Sequence, residues 1–497
     1  MHPCDLTATE ARRLIGLKRL SATELLESCI ARIDAVNPAV NAMTAMDHDA
    51  ARATARAADE ATAQGQPLPP LHGLPLGIKD LEETRGLRTT WGSPLFADHV
   101  PERDEGMVRR LREAGGNVLG KTNVPEFGLG ANSRNTVYGA TGNAFNPSYN
   151  AAGSSGGSAV ALACNMVPLA SGSDTGGSLR NPAAFNGIVG YRPSSGLVPS
   201  ERRGHGWSPL PMLGPMARNV ADLALMLSTM ASDDGADPLA YTFPHQHFRD
   251  QPGLYSPVRP ADLSSMSLAW TEDFGQAPTE GIVRRKFRQV VEALAPMFAR
   301  ATEATPDVSG GDEAFEVLRS VGVLGAHAAK VRDTPQLCGP NMHANVEEAL
   351  RYTFADNSAA LTRQTQIYKN FQLFFAQHGV LISPAICTSP RPWRELYPAQ
   401  IDGKPTRNYF HWLSLAYYVT LTGHPAMSLP VGLDEKGFPF GLQIVGPRGG
   451  DVLVLQVAAA IEAAFAGDGQ FGRPVPDVAA LAKAPPISAM AAFRSWD

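Results

Sequence analysis

The sequence has little of what would mark it for a nucleic acid, a membrane or an oxidising compartment. Charged residues are 18% of the 497, with 43 Lys+Arg against 48 Asp+Glu, and no long basic run occurs. A polyanion-binding surface therefore has no electrostatic footprint, and nucleic acid is not expected as a direct ligand. Every apolar stretch is broken by a charge, a Gly or a Pro before it reaches the length of a membrane span, so no membrane association is expected. The five cysteines (Cys4, Cys29, Cys164, Cys338, Cys387) are scattered, odd in number and without C-x-x-C spacing, which speaks for free thiols in a reducing compartment rather than disulfides or zinc ligands. The N-terminus lacks the charged start, apolar core and small-residue cleavage site of a signal peptide. A cytoplasmic location is the expectation. What the chain does have is 44% hydrophobic residues, ample for a large core and too many for a largely disordered protein.

Helix and strand signals alternate along the chain. Thr7-x-x-Glu10 and Ser21-x-x-Glu24 match the capping box, and Leu25, Leu26, Cys29, Ile30 and Ile33 follow the second at helical spacing. The alanine-rich residues 47–64 read as a helix stopped near Gly65. An extended apolar segment, Leu74 to Leu81, carries Lys79. Asp104 to Ala114 reads as a helix, Asn117 to Leu119 as a buried strand, and Asn181 to Phe185 as a helix start with proline in its first turn. Residues 200–216 and 232–262, rich in Pro, Gly and Asp, read as loops. Strands are expected at 267–270, 379–383, 427–431 and 440–445, and helices at 280–294 and 452–465. The alternation favours α/β layering in one domain over 1–497, with core motifs at about 65–216, a helical or irregular cap at about 217–420, and a return to the sheet at about 421–470.

One motif invites a wrong conclusion. Gly115 to Thr122 satisfies the phosphate-loop pattern G-x-x-x-x-G-K-[ST] letter for letter. That mechanism needs strand, glycine loop, then a helix whose N-terminus holds the phosphates. Here a helical segment comes first, the supposed loop contains strand-like Asn117–Leu119, and Pro125 disfavours helix just after Thr122. A glycine turn feeding a buried strand that ends near Lys121 is the better reading.

The chemistry-bearing residues lie elsewhere. Two dense Gly/Ser runs, Gly153 to Ser158 and Gly172 to Ser178, can gather backbone N–H groups and hydroxyls around a reacting atom. Serine needs a proton acceptor to become a nucleophile, and a lysine among apolar neighbours, as Lys79 is, can be kept neutral enough to serve. With their flanks and order, these three segments resemble the amidase signature family, serine hydrolases with a Ser-cisSer-Lys triad. The resemblance runs from about Leu71 to Met216, is densest between Gly153 and Pro193, and returns at Gly423–Gly446.

The resemblance implies a central mixed sheet flanked by helices, with Ser178 as nucleophile, Ser154 as proton relay and Lys79 as base. Ser155 and Ser158 compete for the relay, and only the family pattern selects Ser154. It also implies a cis peptide between Gly153 and Ser154, an oxyanion hole from the N–H groups of Thr175, Gly176, Gly177 and Ser178, and support from Gly153, Ser155, Asp174 and Arg180. No metal or cofactor is implied. The expected activity is cleavage of a small, apolar or aryl amide, with anilides, carbamates and esters as chemical relatives. The alternatives are the glutaminase-type subunit of a tRNA-dependent amidotransferase and, outside the class, a nucleotide-binding protein or inactive homologue; the departures at Arg202–Leu210 and Trp412–Tyr418 favour the stand-alone amidase. His205, Trp207, Trp412 and Tyr418 are candidates for the substrate pocket, while the bland reading of residues 409–418 is a core-facing helix. A homodimer is the default oligomer.

Overall fold

A computed structural model describes residues 2–240 and 256–496. Part of the loop expected over 232–262 thus lies outside the described residues. The sheet has eleven strands among those described. In chain order they are β1 (Met43–Met46), β2 (Pro75–Lys79), β3 (Asn117–Thr122), β4 (Leu169–Asp174), β5 (Val189–Arg192), β6 (Met212–Ala217), β7 (Ser267–Trp270), β8 (Arg300–Glu303), β9 (Val380–Pro384), β10 (Ala426–Leu433) and β11 (Pro439–Val445). Their spatial order is β1-β3-β2-β4-β6-β5-β10-β11-β9-β7-β8. Parallel pairing of β2 with both β3 and β4 sits beside antiparallel pairing of β4 with β6, so the sheet is mixed. β2, β3 and β6 are buried along their whole length, as strands covered by helices on both faces must be.

Local chemistry explains the helices. Ser21 caps the helix Ala22–Val40 with the full reciprocal pair, its hydroxyl accepting from Glu24 N–H and the Glu24 carboxylate accepting from Ser21 N–H. At Thr7 only half of the box forms, because the Glu10 carboxylate turns to Arg13 instead. The alanine-rich helix spans His48–Ala63 and is followed by Gly65 at φ +71°, a left-handed position that glycine adopts at no steric cost.

One expectation needs correction. The run 200–216 is not all loop, because β6 begins at Met212 and pairs with both β4 and β5. Its Pro and Gly content hid the strand. Gly214 is there for close approach, since a Cβ at that position would stand 2.3 Å from the Tyr191 carbonyl oxygen. The span 217–420 holds the strands expected at 267–270 and 379–383 and one more of the main sheet besides. It contributes β7, β8 and β9 to the same sheet, besides the helices Gly281–Leu294, Gly311–Asp333, Pro340–Ala349 and Phe354–Phe375. No helix among the described residues is long and apolar enough to cross a membrane.

Candidate active site

β2 ends on Lys79 and its parallel neighbour β4 ends on Asp174, which brings the lysine against the second Gly/Ser run. The helix Gly156–Ala163 begins at the first run. Lys79 is fully buried, and its ammonium nitrogen lies 2.8 Å from Ser154 Oγ and 2.8 Å from Ser173 Oγ. Burial pulls its pKa down to about 8, against the opposing pull of Glu82 and Asp174. A substantial fraction is therefore neutral near physiological pH, as a base requires. The peptide bond between Gly153 and Ser154 is cis.

The competing serines are occupied. Ser155 Oγ is held between the N–H and C=O of Ser173, at 3.3 and 3.4 Å. Ser158 Oγ donates to the Ser171 carbonyl at 2.8 Å and meets Thr122 Oγ1 at 2.6 Å. Of the three, Ser154 is the one whose hydroxyl reaches Lys79. Ser155 N–H also donates to the Ser178 carbonyl at 3.3 Å, tying the two Gly/Ser loops together, while Ser178 itself is half-buried and lines a cleft of about 530 Å³.

Asp174 organises the loop that presents Ser178. Its carboxylate accepts from Gly177 N–H at 2.9 Å and Leu179 N–H at 3.2 Å, and from Arg180 through both Nε (3.0 Å) and Nη2 (2.9 Å). Burial would raise its pKa, but the Arg180 and Arg192 guanidinia and these donors outweigh burial and hold it well below the usual carboxylate range. Arg180 continues to Gln443 Oε1 at 2.7 Å and the Ala416 carbonyl at 2.9 Å, which locks the loop to β11 and to the helix Ser414–Thr422. Gly177 has φ +106°, and a Cβ there would stand 2.5 Å from that of Ala416; only glycine fits. The expected set of oxyanion donors is revised accordingly. The Gly177 N–H is engaged by Asp174, whereas Thr175, Gly176 and Ser178 line the cleft.

The expected pocket residues divide. His205 lines the cleft, packed where a Cβ on Gly325 would come within 2.7 Å of its ring nitrogen. Trp207 is 79% exposed and outside the cleft lining. Trp412 and Tyr418 are fully buried elsewhere: Trp412 Nε1 donates to the Tyr409 carbonyl at 2.7 Å and Tyr418 OH to Asp312 at 2.6 Å. The helix Ser414–Thr422 is buried on every side, so no face is left for a ligand. The residues just before it, Tyr409, Phe410 and Leu413, reach the cleft together with Phe127 and Phe315. The other histidines near the motifs are structural. His72 is held by Thr62 and the Ala58 carbonyl, and His424 by Thr422 and Gln372.

Sequence reasoning missed Ser173, Ser171 and Glu82. Ser171 and Ser173 stand two apart on β4 and so share a face, and both meet Lys79: the first accepts from its backbone N–H at 3.0 Å, the second from its ammonium. That alternation was visible once a strand was placed at 169–174. The phosphate-loop lookalike is a strand here, and Lys121 is buried within β3, donating to the Glu82 carbonyl and to Thr84 Oγ1.

A family model described as Amidase matches residues 24–455. The chain is 34% identical over 466 residues to an acylamidase of Rhodococcus erythropolis, covering 92% of this chain and 95% of the relative. It is 33% identical over 494 residues to the A subunit of the glutamyl-tRNA(Gln) amidotransferase of Acidothermus cellulolyticus, covering 92% and 94%. Among solved structures, a bacterial aryl acylamidase of the amidase signature family superposes with a TM-score of 0.85 at 24% identity, covering 98% of this chain and 99% of that one; at that identity the likeness is one of fold. The chain belongs to the amidase signature family. It is a hydrolase of carbon–nitrogen bonds that cleaves amides.

Proposed function

We propose that the chain cleaves small apolar or aryl amides through an acyl-enzyme on Ser178. The observation that carries this reading is the 2.8 Å contact between Lys79 Nζ and Ser154 Oγ in a fully buried setting that depresses the lysine pKa to about 8. In the neutral state Lys79 takes the Ser154 hydroxyl proton as Ser154 takes that of Ser178, and Ser178 Oγ bonds to the amide carbon. The carbonyl oxygen becomes an oxyanion held by the N–H groups of Thr175, Gly176 and Ser178, each such donor being worth about 3 kcal/mol of transition-state stabilisation. As the C–N bond breaks, the proton on Lys79 returns through Ser154 to the departing nitrogen. Water then attacks the ester along the same relay, releasing the carboxylic acid and restoring Ser178.

The apolar and aryl preference is supported by the aromatic lining of the cleft, Phe127, Phe315, Tyr409 and Phe410, and amide cleavage by the acylamidase relative. Glutamine hydrolysis within a tRNA-dependent amidotransferase is the second reading, supported by the 33% identity to that class of protein. A hydrolysis screen of aliphatic amides, anilides, carbamates and glutamine, with Ser178→Ala as control, separates them. Anilide turnover lost in the variant supports the first reading, and turnover confined to glutamine would replace it with the second.

A further inference from the structure

We propose that Glu82 is a positioning residue that sets how tightly Lys79 holds its proton, acting across the buried interior while Ser171 ties its carboxyl group to the Lys79 backbone N–H. This rests on the reading of Lys79 as the base. Glu82 has no place in the relay itself, yet its side chain is buried in the cleft wall beside the reacting groups. Its Oε2 accepts from Ser171 Oγ at 3.2 Å, and Ser171 Oγ in turn accepts from the Lys79 backbone N–H at 3.0 Å. Its Oε1 has no hydrogen-bond partner among the described residues. A buried carboxyl group left half-satisfied is costly, and the charges of Lys79 and Lys121 act against that cost.

The charged groups around this pair come from several elements: Lys79 and the following Asp80 at the end of β2, Lys121 on β3, Glu105 ahead of the helix Gly106–Glu113, and Asp174 at the end of β4. Burial raises the Glu82 pKa to about 7, against the pull of Lys79 and Lys121. The two groups act on each other, the lysine charge lowering the proton affinity of Glu82 and the carboxylate charge raising that of Lys79, so their titrations are coupled. An ionised Glu82 favours the ammonium form of Lys79. A neutral group at that position releases the amine to act as base at lower pH.

The test is the rate at which a fluorophosphonate labels Ser178, measured against pH, which needs no knowledge of the substrate. Glu82→Gln keeps the shape and removes the charge, and is expected to move the acid limb to lower pH by on the order of one unit. Glu82→Asp, which keeps the charge, should bring the limb back toward wild type. A Glu82→Gln variant slowed by one factor at all pH values, or unlabelled at every pH, would overturn the proposal. Independently of labelling and of folding in the variant, carbon-13 titration of the Lys79 side chain and the Glu82 carboxyl in the wild-type protein should show each responding at the other's midpoint; independent single titrations would also overturn it. A wild-type protein that never labels at Ser178 instead removes the reading of the active site, and the titrations then decide about Glu82 alone.

Discussion

Lys79 and Lys121 sit side by side on parallel strands, in register one residue apart, Ile78 facing Lys121 and Lys79 facing Thr122. Both are fully buried, and burial lowers the pKa of each. What differs is the company. Lys121 donates to the Glu82 carbonyl and to Thr84 Oγ1, and neither partner belongs to the two Gly/Ser loops. Lys79 meets the hydroxyls of Ser154 and Ser173 and, at 3.4 Å, the Ser173 carbonyl, and a hydroxyl can accept from an ammonium or donate to a neutral amine. Burial alone thus does not make a base. In the proposed mechanism a base also needs a hydroxyl that can pass a proton onward, and Ser154 is in place against Lys79 for that.

Substitution at either lysine, or at what supports it, tests this difference. The largest effect is expected from Ser178→Ala, which should abolish turnover and phosphonate labelling with the circular dichroism spectrum unchanged; retained hydrolysis would remove the acyl-enzyme. Lys79→Ala should come close to the same loss. Ser154→Ala should slow hydrolysis by about 10²–10⁴-fold, the usual worth of a lost proton-transfer group, and normal rates there would mean that Lys79 draws its proton through Ser173.

Wild-type labelling should rise with pH through about 8, because the active amine is the form present above the Lys79 pKa, and a rate falling with pH would contradict this sign. Arg180→Ala strands the buried Asp174 charge beside Arg192 alone and should cost about 3–5 kcal/mol in urea unfolding. Lys121→Met should cost less, about 1–3 kcal/mol for unpaired acceptors, while the plateau labelling rate stays near wild type. Equal loss of labelling in Lys79→Ala and Lys121→Met would erase the distinction between the two lysines.

Short-range signals made much of the fold legible. The capping pair Ser21/Glu24, the glycine stop at Gly65 and the apolar strand Pro75–Lys79 depend on neighbours in sequence, and they fall where the pattern puts them. The strand Met212–Ala217 was hidden because Pro211, Gly214 and Pro215 carry loop chemistry, and its place between β4 and β5 comes from pairing across the sheet. In the site, the serines and lysine were readable as a set, but Gly177 was assigned to the oxyanion and the fold turns its N–H to Asp174. Trp412 and Tyr418 are pocket candidates from sequence beside the plainer reading of residues 409–418 as a core-facing helix, and the structure buries both. Which side of a helix faces a cleft depends on what packs around it, and the helix Ser414–Thr422 is enclosed.

Local composition and order were enough to establish that two Gly/Ser loops and one lysine in an apolar strand exist and belong together. The packed fold was needed to decide which serine hydroxyl reaches the lysine, which backbone N–H is already spent, and that the lysine of the phosphate-loop lookalike donates to the Glu82 carbonyl and Thr84 Oγ1 rather than to the serine loops. The physical reason is that proton affinity and hydrogen-bond commitment are set by burial and by partners a few ångströms away, and Lys79 and Ser173, 94 residues apart in the chain, become such partners only when β2 and β4 lie side by side.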